Sequence, residues 1–318
     1  MKTRNARGLL GPRALWIGVY DGFSAKLVAR SWLAGTLPAE SALWVSSFCV
    51  SASLRACPDA SIVSSTEMIA VGRYVETAAG GMPVVLDCDC GYGDADVFRH
   101  VIEEICRTSR IAAVCFEDKV FPKRNSFYGR DEQHLERLDV CVEKIRAAAE
   151  SRTRHRDNLA IVARTEALVA GQGVDAALER LDAFASAGAD ALMVQATGPI
   201  DELDEVCRRW CAVSDVPLVA APTMYPNHSP EHFWSNGFAV YIYANQLLRA
   251  AGYAADATLH SLADALSPPA AQADGMWSVT DLNDLVGASP EQRRETLHKR
   301  RLEAVVGAGM AAGTPPPE

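Results

Sequence analysis

Two stretches concentrate the residues able to do chemistry. LDCDCGYGD, residues 86–94, sets Asp87 and Asp89 directly after an apolar run. EDKVFPKRNSFYG, residues 117–129, follows IAAVCF with Glu117, Asp118, Lys119, Lys123, Arg124, Asn125 and Ser126. Alternate side chains of an extended strand share a face, so Asp87 and Asp89 are expected to point inward while Cys88 and Cys90 pack outward under helices. Glu117 adds a third inward acid from the adjacent strand, and Arg164 in AIVARTE brings a cation from the next. Buried unpaired carboxylates are costly, so a cluster of three calls for a cation. Oxygen-only donors without His or Cys suit Mg²⁺, held by few carboxylates and several waters. A Cys-x-Cys metal site is the competing reading of DCDC, but no second ligand cluster accompanies it. Arg164 either pairs with the acids or binds an anionic substrate, and the sequence leaves both open.

The elements that would position these residues recur eight times, as short β-rich apolar runs alternating with amphipathic helical stretches. The expected strands are 15–21, 42–47, 83–89, 112–118, 160–166, 191–197, 217–223 and 239–245. Between them lie patterns such as GVDAALERLDAFASAGA, where Val174, Ala177, Leu178, Leu181, Phe184 and Ala185 form a one-sided stripe. Eight such units match a (β/α)8 TIM barrel. An open doubly wound sheet is disfavoured because no GxGxxG or Walker loop opens any unit. The expected organisation is a flexible N-terminus over 1–12, a barrel over 13–266, and a C-terminal extension over 267–318. That extension reads as a linker, helical segments near 280–287 and 290–307, and a disordered GTPPPE tail.

The polar residues gather at one end of the strands. The ends carry Asp21, Ser46, Ser47, Asp87, Asp89, Glu117, Asp118, Arg164, Glu166, Gln195, Thr223 and Asn245, whereas the beginnings are Leu, Ala or Pro. Barrel active sites sit where strands run into helices. Asp118, Thr223 and Asn245 are plainly read as helix caps. Six of the histidines, His100, His134, His155, His232, His260 and His298, read as solvated; His228 in MYPNHSPEH follows the seventh strand on the active face.

Composition narrows the partners. With 49% hydrophobic residues over 318 positions the chain buries a large core, and a net charge of −9 without basic runs argues against nucleic acid and anionic membranes. No apolar stretch approaches the roughly 18 residues that span a bilayer, and the basic start lacks a signal-peptide core, so a cytoplasmic location is expected. The nine cysteines are an odd, scattered set that suits reduced thiols. A small-molecule substrate and a homo-oligomer are the expected partners.

With these residues assembled, the sequence resembles the phosphoenolpyruvate mutase and phosphonopyruvate hydrolase branch of the isocitrate lyase superfamily. The resemblance runs from about Val19 to Ala250 through DGFSAKLV, LWVSSFCVSAS, LDCDCGYGD, EDKVFPKRNSF, IVARTEALVAGQG and GADALMVQ. It implies a Mg²⁺-dependent barrel enzyme in which Asp87 is nearest the ion, with Asp89 and Glu117 holding metal-bound waters and Asp59 close by. It further implies that Ser46, with the amides of Ser47 and Phe48, receives the substrate carboxylate. Arg164, Asn125 and Ser126 would surround the phosphoryl group, with Lys123 on the same gating loop. The carbon–carbon lyases of the superfamily carry a Cys on that loop, and PKRNSF has none. The hydrolases tend to have Thr where this chain has Asn125. Two departures stand out: Gln195, Ala196 and Thr197 replace a usual His-Ser-Lys, and Asp94 replaces a usual Asn. Phosphoenolpyruvate mutase is thus the expected activity. A hydrolase or related Mg²⁺ enzyme for another 2-oxo or phosphono acid is the alternative, and a non-catalytic ligand-binding homologue the third.

Overall fold

The computed structural model describes residues 9–156, 158–265 and 276–287. Eight parallel strands close into a barrel in sequence order: β1 (Ala14–Val19), β2 (Ser41–Val45), β3 (Val84–Asp87), β4 (Ala113–Glu117), β5 (Ala160–Thr165), β6 (Ala191–Val194), β7 (Leu218–Ala220) and β8 (Val240–Tyr243). The helices that follow them are α1 (Gly22–Leu33), α2 (Ser47–Arg55), α3 (Ser65–Ala78), α4 (Ala95–Thr108), α5 (Leu138–His155), α6 (Gly173–Ala187), α7 (Ile200–Cys211), α8 (Pro230–Asn236) and α9 (Gln246–Ala265), with α10 (Val279–Leu285) beyond. All eight expected strands form, but most stop two or three residues early, because the polar residues at their ends turn out of the ladder.

Strand alternation produces two cores. Trp16, Trp44, Val85, Cys115, Val162, Met193, Val219 and Ile242 point inward and fill the barrel, with the Trp16 and Trp44 rings stacked at 6.0 Å. Leu15, Ile17, Leu43, Leu86, Val114 and Ile161 point outward and join helical residues such as Phe98, Leu181 and Phe233. Leu9 and Leu10 are buried with the inner set, and the Trp16 indole donates to the Leu9 carbonyl at 3.3 Å. The chain is therefore packed from Leu9 onward, inside the segment expected to be flexible; residues 1–8 lie outside the described residues.

The chain divides into two compact units, Met1–Gly252 and Tyr253–Glu318. In the second, α10 begins with a capping box between Ser278 and Asp281. The expected linker from 267 to 275, the helix at 290–307 and the GTPPPE tail lie outside the described residues. Among the described residues no helix is long and apolar enough to cross a membrane.

Gly18 lets β1 meet β8 at the floor of the upper barrel. A Cβ there would stand 2.0 Å from the Ala244 carbonyl oxygen. Gly18→Ala should therefore destabilise the barrel at the upper end of about 1–3 kcal/mol. Gly252→Ala, in α9 with nothing within 4 Å of the added methyl, should instead stabilise by about 0.5–1 kcal/mol. Urea denaturation of the two variants checks both signs.

Candidate active site

The strand ends deliver their polar residues into one cavity. Its lining includes Ser46, Ser47, Phe48, Asp59, Asp87, Lys123, Asn125, Ser126, Arg164 and Gln195, all expected site residues, with Asp89 and Glu117 buried beneath. Asp87 ends β3 on the inner face, as alternation requires. Asp89 reaches the same place by a different route. The strand has stopped, and Asp89 sits in a left-handed turn with φ +51°, its carbonyl accepting from the Glu117 amide at 2.8 Å. Cys88 packs in the outer core as expected.

The helix after β2 faces the acids. Ser46 caps α2 by accepting from the Cys49 amide. Ser47 donates to Asp87 Oδ2 through its hydroxyl at 2.7 Å and its amide at 3.3 Å. The Ser47 amide, expected to face the substrate carboxylate, has Asp87 as its partner in this structure. Ser46 and the Phe48 amide remain at the positive end of the helix.

Beyond β4 the chain leaves the barrel and returns. Lys119 and Leu135 form an antiparallel bridge at the base of this excursion, and residues 120–134 fold over the cavity as a lid. The lid is fastened by buried polar contacts. Lys123 Nζ lies 2.7 Å from Asp89 Oδ1, 3.0 Å from Asp59 Oδ1 and 3.1 Å from Ser47 Oγ. Asn125 donates to Asp59 Oδ2 at 2.9 Å, which brings the acid at the end of SLRACPD into the site. Gln133, also buried, donates to the Asn125 carbonyl at 2.9 Å. Ser126 accepts from Arg164 and from Lys119, each at 3.0 Å.

Charge sets the chemistry of this cluster. Burial raises the Asp87 carboxyl above its ordinary range, against the pull of Lys123 and Arg164. Burial likewise pushes Asp89 up to about 7, against Lys123. For Glu117 burial acts in the same direction, but Lys119, Arg164 and Lys123 outweigh it and hold the carboxyl at about 2. Arg164 lies 3.2 Å from Glu117 and makes a short ion pair with Glu166; these acids overcome burial and hold its guanidinium protonated. One half of the site is thus a settled ion-pair network, while the Asp87 side is short of positive charge.

Several residues behave otherwise than the sequence suggested. Asp118 caps no helix; it accepts from the Thr165 hydroxyl and the Glu166 amide and pairs with Arg180, tying β4 to β5 and α6. Thr223 lines the cavity, and Ser229 stands at the N-cap of α8; Asn245 lines the cavity too, but it also precedes α9 as expected and its carbonyl accepts from the Arg249 amide. His228 stays outside the lining and packs on His232, with ring centroids 4.7 Å apart. The sequence marks Lys119 and Glu166 only as polar residues near strand ends and does not mark Gln133 at all, because their partners lie on other elements. Gln195 donates only a long 3.5 Å bond to the Ala221 carbonyl. With Thr223 and Asn245 it gives the cavity a neutral wall opposite Lys123.

The acids at the strand ends are the residues that could hold a cation. Among the described residues, Ser47 is the sole hydrogen-bond donor to Asp87, and both bonds go to Oδ2. Asp59 Oδ1 and Asp89 Oδ1 meet the Lys123 ammonium, and Glu117 Oε1 is buried with the Lys119 ammonium 3.8 Å away. No three acidic, His or Cys side chains among the described residues form a ready inner ligand set.

The phosphoenolpyruvate phosphomutase family model matches residues 11–263. The chain belongs to this family. It is 36% identical over 257 residues to the phosphoenolpyruvate phosphomutase of Streptomyces hygroscopicus, covering 78% of this chain and 77% of that one. The crystal structure of a phosphoenolpyruvate phosphomutase from Streptomyces platensis subsp. rosaceus superposes with a TM-score of 0.82 at 32% identity, covering 92% and 99% of the two chains. A phosphonopyruvate hydrolase in complex with oxalate and Mg²⁺ superposes with a TM-score of 0.79 at 27% identity, covering 93% and 98%. The matched relatives are named as enzymes, a mutase and a hydrolase among them.

The two halves of the site should respond oppositely to mutation. Arg164→Met leaves Glu117 and Glu166 short of a partner and should destabilise the metal-free protein by about 3–5 kcal/mol. Asp87→Asn removes a carboxylate that burial disfavours and should leave stability unchanged or raised. Denaturation in excess EDTA measures both.

Proposed function

We propose that the protein is a Mg²⁺-dependent phosphoenolpyruvate mutase that moves a phosphoryl group between the enol oxygen of phosphoenolpyruvate and carbon 3 of phosphonopyruvate. The observation that carries this reading is the lid: it brings Asn125 and Ser126 onto Asp59 and Arg164 and closes the cavity beside the acid cluster. A transferring phosphoryl group is loosely bound in the transition state, so the protein's task is to hold two anionic fragments in place while the bond changes.

Each part of the chain has a share in that task. Ser46 and the Phe48 amide, at the start of α2, would take the substrate carboxylate. Arg164, Ser126 and Asn125 would hold the phosphoryl oxygens. Lys123, sealed among Asp59, Asp89 and Ser47, keeps the lid down, and a closed lid keeps water from capturing the group in flight. Asp87 would hold Mg²⁺ directly, with Asp59, Asp89 and Glu117 through its waters. The ion would supply Lewis-acid stabilisation of the pyruvate enolate. The lid has no Cys, which leaves the carbon–carbon lyase chemistry of the superfamily without its acid/base group.

A second reading rests on Gln195. It presents a neutral amide where mutases and hydrolases alike are expected to have a His, and this favours a related Mg²⁺ enzyme for another 2-oxo or phosphono acid. Phosphorus NMR of phosphoenolpyruvate and phosphonopyruvate with the protein and Mg²⁺ separates the readings. A mutase interconverts the two; stoichiometric phosphate release indicates a hydrolase, and inertness toward both overturns the proposal. Asp87→Ala or excess EDTA should abolish turnover, and undiminished activity in either would remove Mg²⁺ from the mechanism. Asn125→Thr should lose isomerisation and gain phosphate release. If Gln195 is a weaker substitute for His, Gln195→His should improve phosphonopyruvate binding by about one to two decades, the worth of one charge-assisted hydrogen bond. Damage to the native reaction alongside tighter phosphonopyruvate binding would support the second reading.

A further inference from the structure

Lys119 is the most enclosed cation of the site, 2% exposed, although it stands where the chain leaves the barrel. Its ammonium gives two protons to the lid and turns the third toward the acids at the strand ends. One goes to the Arg124 carbonyl at 2.7 Å and one to Ser126 Oγ at 3.0 Å, both in the lid. The third faces Glu166 Oε2 at 3.3 Å, with Glu117 Oε1 at 3.8 Å. Those two carboxylate oxygens have no hydrogen bond of their own. Arg164 takes the other pair, Glu117 Oε2 and Glu166 Oε1. Two carboxylates thus lie between two cations, and the lid touches both cations through Ser126.

Ser126 then has little choice of role. A hydroxyl has two acceptor lone pairs and one proton. Lys119 and Arg164 each donate to its oxygen at 3.0 Å. The proton that remains is directed away from both, and Ser126 lines the cavity. Two adjacent positive donors also make that proton a stronger hydrogen-bond donor.

We propose that Lys119 is a positioning residue that seats the lid: it pins residues 124–126 onto the Glu117–Arg164–Glu166 network and fixes the Ser126 hydroxyl as a donor to the anionic group of the ligand. It touches no substrate itself. The anionic character of that ligand rests on the proposed function; the seating of the lid does not. Loss of Lys119 should loosen the lid, weaken the hold on the transferring group and admit water.

The test compares Lys119→Met with the double variant Lys119→Met/Glu166→Gln, which removes one carboxylate with the cation and so keeps the charge balance of the core. Hydrogen exchange without substrate reads the lid directly. In both variants, amides of residues 120–134 should exchange at least about tenfold faster than in the wild type, as expected when a buried charged hydrogen bond is lost, while the barrel strands keep their protection. Trypsin should cut faster after the exposed Arg124 and Arg130. With phosphonopyruvate and Mg²⁺, kcat should fall more than KM rises, and a larger share of turnover should end as inorganic phosphate. Wild-type lid exchange in the double variant would overturn the proposal, and so would equal loss of protection in lid and barrel, which would assign Lys119 to core stability alone. A wild type inert toward both substrates would remove the proposed function while the exchange data still decided the role of Lys119.

Discussion

The top of the barrel is governed by a shortage of positive charge. Asp59, Asp87, Asp89, Glu117 and Glu166 are all buried there, and the cations among them are Lys119, Lys123 and Arg164. With every group ionised, these five carboxylates outnumber the three cations that pair with them, and the buried Lys144, held on the Cys90 carbonyl, offsets only part of the difference. A low-dielectric site does not hold such an excess without protonation or an added cation. The raised carboxyls of Asp87 and Asp89 show where the shortage falls. One divalent ion beside Asp87 would remove it, which is the physical support for the Mg²⁺ proposal.

The same constraint explains the lid. Two of the three cations, Lys119 and Lys123, lie at its base and within it, so closing the lid and neutralising the acids are one event. Lys123 closes on the Asp59 and Asp89 side, Lys119 on the Glu117 and Glu166 side, and Arg164 meets the lid from β5 through Ser126. A lid held by ion pairs with the floor can open only by exposing charges to water, which solvates them well.

Much of this was legible in the sequence. The β/α alternation gives the barrel, and the contrast between polar strand ends and apolar strand beginnings gives the active face. Asp87, Arg164 and Gln195 lie in the cavity because an inward position at a strand end follows from a period of two. Where the chain leaves regular structure the pattern stops informing. Asp89 is inward through a left-handed turn that periodicity does not describe. Asp118, which looks like a cap, is an internal strut to Arg180. Lys119 and Glu166 face each other across the paired ends of β4 and β5, where Glu117 stands beside Arg164, a strand register with no local signature. The Ser47 amide is taken by Asp87 for the same reason: the contact spans two strands.

The claim that a divalent cation completes this site is tested most directly by titrating the metal-free protein with Mg²⁺ in a calorimeter, alongside Asp87→Asn. The account predicts one ion bound per chain by the wild type and loss of that binding in the variant. Absence of binding by the wild type, or equal binding by both proteins, would contradict it.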